Sequence, residues 1–417
     1  MNVSVVFKMK ITDIECFHIA LPRTSSNVIG GRDSYEGIPY RDEDFDTVSG
    51  FVDKVAHFGH SQSCVVKVHT DEGITGIGEM ACGRRCEIER IRENILGAQV
   101  HDISRIANTL MFGRGNSLRN RPKNDILAGS NEMAAIECAL WDCLGQKAGV
   151  PVYKLLGGKV RQAVPITLFL GERPIDECLP AIKQAVSEGI RTIKLKIGCN
   201  DQRDLDLLKE IRGEFGYDLI LRVDGNAAWT VVDGIRMLKR MQPYNLQYAE
   251  GLLRRCESGY NFKRLRDATG VPVCMCEQFA GFHELSTEEA LIRAVDLIRM
   301  NAVDVLSLDP TRTGGLLGFL KVCDLCEGAG IQVVTHRALT SISGAIWLTA
   351  CSCSAATSYA QDLVPVGQPS GSRLDTVYET LQPENGYMKP WDSPGWGLTV
   401  NDDIMCTYQK IERNHHS

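Results

Sequence analysis

Between residues 165 and 360, short apolar runs alternate with amphipathic stretches of helix length, and nothing else in the chain constrains its fold so strongly. The runs fall at 165–170, 192–197, 219–223, 246–249, 273–276, 303–308, 331–335 and 357–360, with helical periodicity over 175–187, 203–214 and 231–241. Strand alternating with helix predicts a parallel sheet, and eight such strands close into a barrel. A doubly wound open sheet is the rival. No Gly-x-Gly-x-x-Gly follows a strand, and Gly314-Gly315 alone is a weak phosphate signal.

The same runs end in a regular set of polar residues. Asp224 follows Val223, Glu250 follows Ala249, Glu277 follows Cys276, Asp309 follows Leu308 and His336 follows Thr335, at intervals of 26 to 32 residues. One βα unit per interval would bring these side chains together at the barrel face where active sites form. Three acceptor-only carboxylates from successive strands suit a hard divalent cation, magnesium first. The competing reading is that each acid caps the helix after it. His336 ends one strand and Asp309 the strand before it; a carboxylate beside an imidazole fixes its tautomer and raises its proton affinity, which makes a base.

Opposite these acids stands Thr192-Ile193-Lys194-Leu195-Lys196-Ile197-Gly198. Residues two apart on a strand share a face, so Lys194 and Lys196 point one way. Two ammonium groups side by side are costly to bury unless anions or a metal face them; an exposed edge strand guarded by lysines is the alternative. Lys196, with an ordinary pKa near ~10.4, must be drawn towards neutrality to act as a base, and an adjacent metal and Lys194 would do so.

Ahead of the barrel the texture is α+β. A strand over 10–21 precedes a polar segment with the acidic run Asp42-Glu43-Asp44, and a loop of that length inside a domain is expected to be a functional lid. A second strand over 63–70 turns through Asp71-Glu72-Gly73 into 74–79, a hairpin, and helical periodicity follows over 87–96 and 131–148. The net charge of -6 with scattered Lys and Arg argues against a nucleic-acid footprint. With no apolar run of about 18 residues and an opening Met1 to Lys8 too short for a signal peptide's apolar core, the expectation is a cytoplasmic protein that engages neither membrane nor nucleic acid. The 16 cysteines read as reduced core residues, Cys323 and Cys326 included, because their spacing is one helical face and no second pair completes a zinc set.

Taken together, Asn131 to Asp142, the run Pro151-Val152-Tyr153-Lys154-Leu155-Leu156-Gly157-Gly158, Lys194-Leu195-Lys196, Val223-Asp224-Gly225-Asn226, Asp309-Pro310 and His336 resemble the enolase superfamily and, within it, the mandelate racemase subgroup. The resemblance covers nearly the whole chain. It implies an α/β fold, a modified TIM (β/α) barrel under an N-terminal α+β capping domain. On that basis residues 1–150 are expected to form the cap with a lid loop near 25–60, residues 151–380 the barrel, and residues 381–417 a segment returning to the cap. It also implies Mg2+ on Asp224, Glu250 and Glu277, removal of the proton alpha to a substrate carboxylate, and an enediolate stabilised by the metal. Lys196 is the implied base on one face and His336, paired with Asp309, the acid/base on the other; Lys194 helps hold the carboxylate.

Two positions depart from the family pattern. Cys276 precedes Glu277 where many relatives have Asp, and on the eighth strand either Asp362 or Gln361 takes the place of the expected acid. Substrate contacts are further expected from Asn226, from Arg32 and Tyr35 in the lid, and from loops carrying Phe169, Glu172, Arg173 and Arg312. The partner is expected to be a small-molecule carboxylate, and the chain a homo-oligomer, dimer to octamer. Two opposed acid/base groups serve either of two outcomes: dehydration of an acid sugar to a 2-keto-3-deoxy acid, preferred by analogy, or racemisation or epimerisation through the same enediolate. A non-catalytic binding module is the reading from another class, and the retained mutually repelling charges argue against it.

Overall fold

The computed structural model describes residues 8–22, 60–81, 88–112, 130–171, 174–254, 257–276, 287–336, 338, 340–363, 376–379, 381–403 and 405. Arg32, Tyr35 and the expected lid up to residue 59 lie outside the described residues, as do Glu172, Arg173, Glu277 and the side chain of Arg312.

The N-terminal part is an antiparallel sheet in the order β1 (Ile11–Pro22), β2 (His60–Thr70), β3 (Thr75–Ala81). Alternating Cys64, Val66 and Val68 turn one face of β2 to a core shared with Ile91, Ile136 and Leu140. The helix Ser130–Ala148 lies directly on β3. Gly76 and Gly78 allow that approach, because a Cβ at either would stand 2.0 Å from the Ala139 carbonyl or 1.9 Å from that of Ala135.

The expected parallel sheet is present, with seven strands in the order β5 (Thr167–Leu170), β6 (Thr192–Lys196), β7 (Ile220–Asp224), β8 (Leu246–Glu250), β9 (Val273–Met275), β10 (Val305–Leu308) and β11 (Gln332–Thr335). Helices Ile175–Ser187, Asp201–Phe215, Val231–Met241, Gly259–Thr269, Thr287–Met300 and Leu316–Ala329 connect them, each burying an apolar stripe against the sheet. Cys323 and Cys326 belong to the buried stripe of the last of these.

The expected eighth strand over 357–360 is not a strand. Ala355–Thr357 forms a 3-10 turn, and among the described residues the ring closes through Gln361. Its main chain bonds β5 and Pro165, two residues ahead of that strand, donating to the Pro165 carbonyl at 2.8 Å and accepting from Thr167 N–H at 3.1 Å. Its side chain reaches the other sheet edge, accepting from Thr335 N–H at 2.7 Å and donating to the Val333 carbonyl at 3.2 Å. An amide side chain, which carries the same donor and acceptor as a peptide, thus replaces a rung of the missing ladder.

Beyond the ring, β4 (Val164–Pro165) pairs with β12 (Tyr387–Met388). The chain then passes back to the N-terminal part, where the Trp396 indole donates to the Ile77 and Cys138 carbonyls. No helix among the described residues is long and apolar enough to cross a membrane.

Candidate active site

Strand register sets up the site. Lys196 on β6, Asp224 on β7 and Glu250 on β8 stand in one row, since Lys196 pairs with Asp224 and Asp224 with Glu250. The row behind it holds Lys194, Arg222 and Tyr248, two residues back on the same faces. The Lys196 ammonium lies 2.6 Å from Asp224 Oδ2. Lys194 is shared, 2.8 Å from Glu250 Oε2, 2.8 Å from Asp362 Oδ2 and 3.4 Å from Asp224 Oδ2. Every one of these five side chains is buried, so the exposed-edge alternative for the lysine strand is excluded.

Burial opposes the charge on Lys194, but Asp362, Glu250 and Asp224 together outweigh it and hold its pKa well above the ordinary lysine value. Asp224, also resisted by burial, is drawn down to about 2 by Lys196 and Lys194. Glu250 moves the other way: burial, with repulsion from Asp224 and Asp362, pushes it up in spite of the ammonium 2.8 Å away. One lysine charge divided among three acids does not neutralise all of them. With every member ionised, two ammonium groups face three carboxylates.

That imbalance is the test of whether the residues suit a cation. Glu250 Oε1 and Asp362 Oδ1 are buried with no hydrogen-bond partner among the described residues, as is the Asn226 side-chain nitrogen, and a buried polar atom without a partner is costly. A hard divalent cation satisfies carboxylate oxygens of this kind, so the donor set fits one. No three metal-ligating groups are gathered at ligand spacing among the described residues; Glu277, the third expected ligand, is not among them. Asn226 and Ala227, two and three residues after Asp224, both take left-handed φ angles, 41° and 66°. The Asn226 N–H donates to Asp224 Oδ1 at 3.1 Å.

The eighth position falls to Asp362, since Gln361 is occupied in closing the ring and Asp362 faces Lys194. Phe169 is on β5 and not on a loop, its ring centroid 5.3 Å from the Lys196 ammonium and 6.0 Å from that of Lys194. Asp309 and His336 stand one residue beyond the paired Leu308 and Thr335, at adjacent strand ends. Asp309 is buried, its Oδ1 accepting from the Thr311 N–H and hydroxyl at 2.9 and 2.7 Å. His336 is half-buried; its N–H donates to the Leu308 carbonyl at 2.9 Å and its carbonyl accepts from the Trp347 indole at 3.0 Å.

Sequence reasoning missed part of the row behind the site. Arg222 is fully buried, bonded to Gln247, Thr167 and the Ala360 carbonyl, with its guanidinium 4.7 Å from the Tyr248 ring centroid. The Tyr248 hydroxyl has no partner among the described residues. The two-residue spacing from Arg222 to Asp224 and from Tyr248 to Glu250 was the available signal.

A parallel ring carrying amines, acids and an imidazole at its carboxyl strand ends, beneath an antiparallel cap, defines an enolase-type barrel enzyme. The chain matches the model of the enolase C-terminal domain-like family over residues 178–404 and that of the mandelate racemase / muconate lactonizing enzyme N-terminal domain over residues 54–157. It is 28% identical over 337 residues to an L-Ala-D/L-Glu epimerase of Clostridium acetobutylicum, covering 80% of this chain and 90% of the relative. It is 25% identical over 361 residues to an arabinonate dehydratase of Saccharolobus solfataricus, covering 82% and 89%. Among solved structures, an enolase of Thermobispora bispora complexed with magnesium and formate superimposes with a TM-score of 0.77 at 22% identity, over 97% of this chain and 93% of that one. This chain belongs to the enolase superfamily, in its mandelate racemase subgroup. Its relatives there include both dehydratases and epimerases.

Proposed function

We propose that this chain is a Mg2+-dependent hydro-lyase that removes the proton alpha to a carboxylate and dehydrates an acid sugar, an aldonate or aldarate with hydroxyls at carbons 2 and 3, to a 2-keto-3-deoxy acid. The observation that carries the reading is the buried cluster in which Lys196 and Lys194 face Asp224, Glu250 and Asp362. Residues 1–150 serve as cap, 151–380 as barrel and 381–417 as the returning segment, and the chain works as a homo-oligomer on a small-molecule carboxylate.

Asp224, Glu250 and Glu277 would hold magnesium, which when bound would supply electrostatic stabilisation for charge developing on the substrate carboxylate. Lys194 adds a fixed positive charge beside it. Asp362 positions that ammonium and Asn226 orients the carboxylate; Arg32 and Tyr35 contact the distal hydroxyls. Lys196, as the free amine, takes the alpha proton from one face. His336, oriented by Asp309, stands at the other face and as imidazolium gives a proton to the departing beta hydroxyl. The carbon–oxygen bond breaks with its electron pair leaving as water, and the resulting enol becomes the keto acid.

Racemisation or epimerisation is the second reading, favoured by the epimerase relative that this chain covers over 90% of its length. In that case His336 returns its proton to the alpha carbon. Incubation in D2O with Mg2+ across a panel of acid sugars and N-acyl or dipeptide acids separates the two. Keto acid from an acid sugar supports dehydration; alpha-deuterium incorporation without keto acid supports epimerisation, and neither product with any member contradicts both.

A further inference from the structure

The cap contributes a carboxylate that none of the chemistry above uses. Glu79, on β3, is completely buried, and burial pushes its pKa above the ordinary carboxylate value against the pull of its donors. An acid placed so deeply needs a reason. One oxygen, Oε1, accepts from the Ser63 hydroxyl on β2. The other leaves the cap: Oε2 accepts from the Thr340 hydroxyl at 2.6 Å and from the Ser343 N–H at 2.8 Å. Thr340 and Ser343 are the N-cap and third residue of the barrel helix Ser341–Cys353, where unpaired amides and the helix dipole favour an anion.

That helix also determines the backbone at His336. Trp347, on its second turn, donates its indole N–H to the His336 carbonyl, and only residues 337–340 separate His336 from the helix start. His336 is therefore held on one side by its N–H bond to Leu308 and on the other by a helix whose first turn is anchored to the cap. Glu137, on the cap helix Ser130–Ala148, repeats the pattern one unit earlier. Its Oε1 accepts from the Leu317 N–H at 3.0 Å, at the start of the helix Leu316–Ala329 that follows β10 and Asp309.

We infer that Glu79 is a positioning residue: through Thr340, Ser343 and Trp347 it fixes His336 on its face of the site, so that the cap sets the geometry of the imidazole half. The role assigned to His336 rests on the function proposed above; the linkage from Glu79 to His336 does not.

The test uses full-length protein labelled with 13C and 15N at histidine, with the His336 imidazole signals assigned by their loss in His336→Asn. Glu79→Gln and Thr340→Val each remove part of the anchor, and Thr340→Val keeps the carboxylate should Glu79→Gln fail to fold. Both variants are expected to shift or broaden the His336 signals while those of His69 and His101, on the cap surface, stay in place. A His336 signal unmoved in every variant that folds would overturn the inference, whatever the loss in Tm, because a purely structural bolt lowers Tm without moving the ring. This readout needs no substrate, so a panel without turnover sinks the proposed function and leaves the linkage to be judged on its own. Where the panel yields an exchanging acid, Glu79→Gln should slow exchange of the enantiomer served by His336 by about tenfold or more and leave the opposite enantiomer within about twofold; equal losses on both faces count against it.

Discussion

The two halves of the site are held by different forces. On the lysine half, Lys194, Lys196, Asp224 and Glu250 come from consecutive strands and fix one another by charge inside the ring, with Asp362 completing the set. On the histidine half, Asp309 and His336 stand at strand ends whose following helices are anchored by Glu137 and Glu79 of the cap. The charged groups within the barrel position one another through short ion pairs, with no contact from the cap among those pairs. At His336 the bonds on the N–H and the carbonyl hold the backbone, and bonds of that kind leave the proton chemistry of the imidazole intact.

The difference is broken most sharply at the reacting groups. Lys196→Ala and His336→Asn should each lower turnover by about 10²–10⁴-fold, measured as keto acid formed or alpha deuterium incorporated. Loss of exchange on only the matching face of the alpha carbon would sharpen the two-sided picture. Full activity in either variant would remove that residue from its role.

Stability should separate the halves next. Lys194→Met removes the only cation shared by Glu250 and Asp362 among the described residues and leaves buried acids without compensation. Breaking a buried pair in this manner costs about 3–5 kcal/mol, read as a fall in the urea midpoint in EDTA, and added Mg2+ should recover part of it. Closure of the ring is weaker. Gln361→Leu strands the buried Thr335 N–H and should cost about 1–3 kcal/mol in the same assay.

The smallest effect belongs to the cap contacts and appears in the pH dependence. Burial pushes Glu137 up to about 7 from an ordinary 4.5. The folded state therefore binds its proton more tightly than the unfolded chain does. The stabilisation this gives is complete below about 4.5 and is lost as pH rises through about 7. Glu137→Gln stays neutral and keeps an acceptor for Leu317, so its stability should fall less between pH 5 and 8, by an amount on the order of 1–3 kcal/mol. Asp142, also raised to about 7 by burial, remains and keeps part of the slope.

How much of this was legible in the chain follows the same division. The lysine half could be read almost entirely, because two-residue alternation and the regular spacing of strand ends are local patterns that the ring geometry converts directly into neighbours. Helix bounds such as Ile175–Ser187 and Val231–Met241 followed from apolar periodicity. Residues 357–360 looked like a last strand because they have strand-like composition, yet the closing rung is a side chain, which no periodicity announces. Glu79 and Glu137 gave no signal either. Each is one acid in an otherwise ordinary strand or helix, and its partner lies 264 or 180 residues away. The choice between Asp362 and Gln361 needed the same long-range information.

The central claim is that the acids at successive strand ends are charged so as to hold a divalent ion beside Lys194 and Lys196. Calorimetric titration of the full-length protein with Mg2+ alone tests it most directly. The account predicts one ion per chain, bound at least about tenfold more weakly by Glu250→Gln. Equal affinity in the two proteins, or no binding to either, would contradict it.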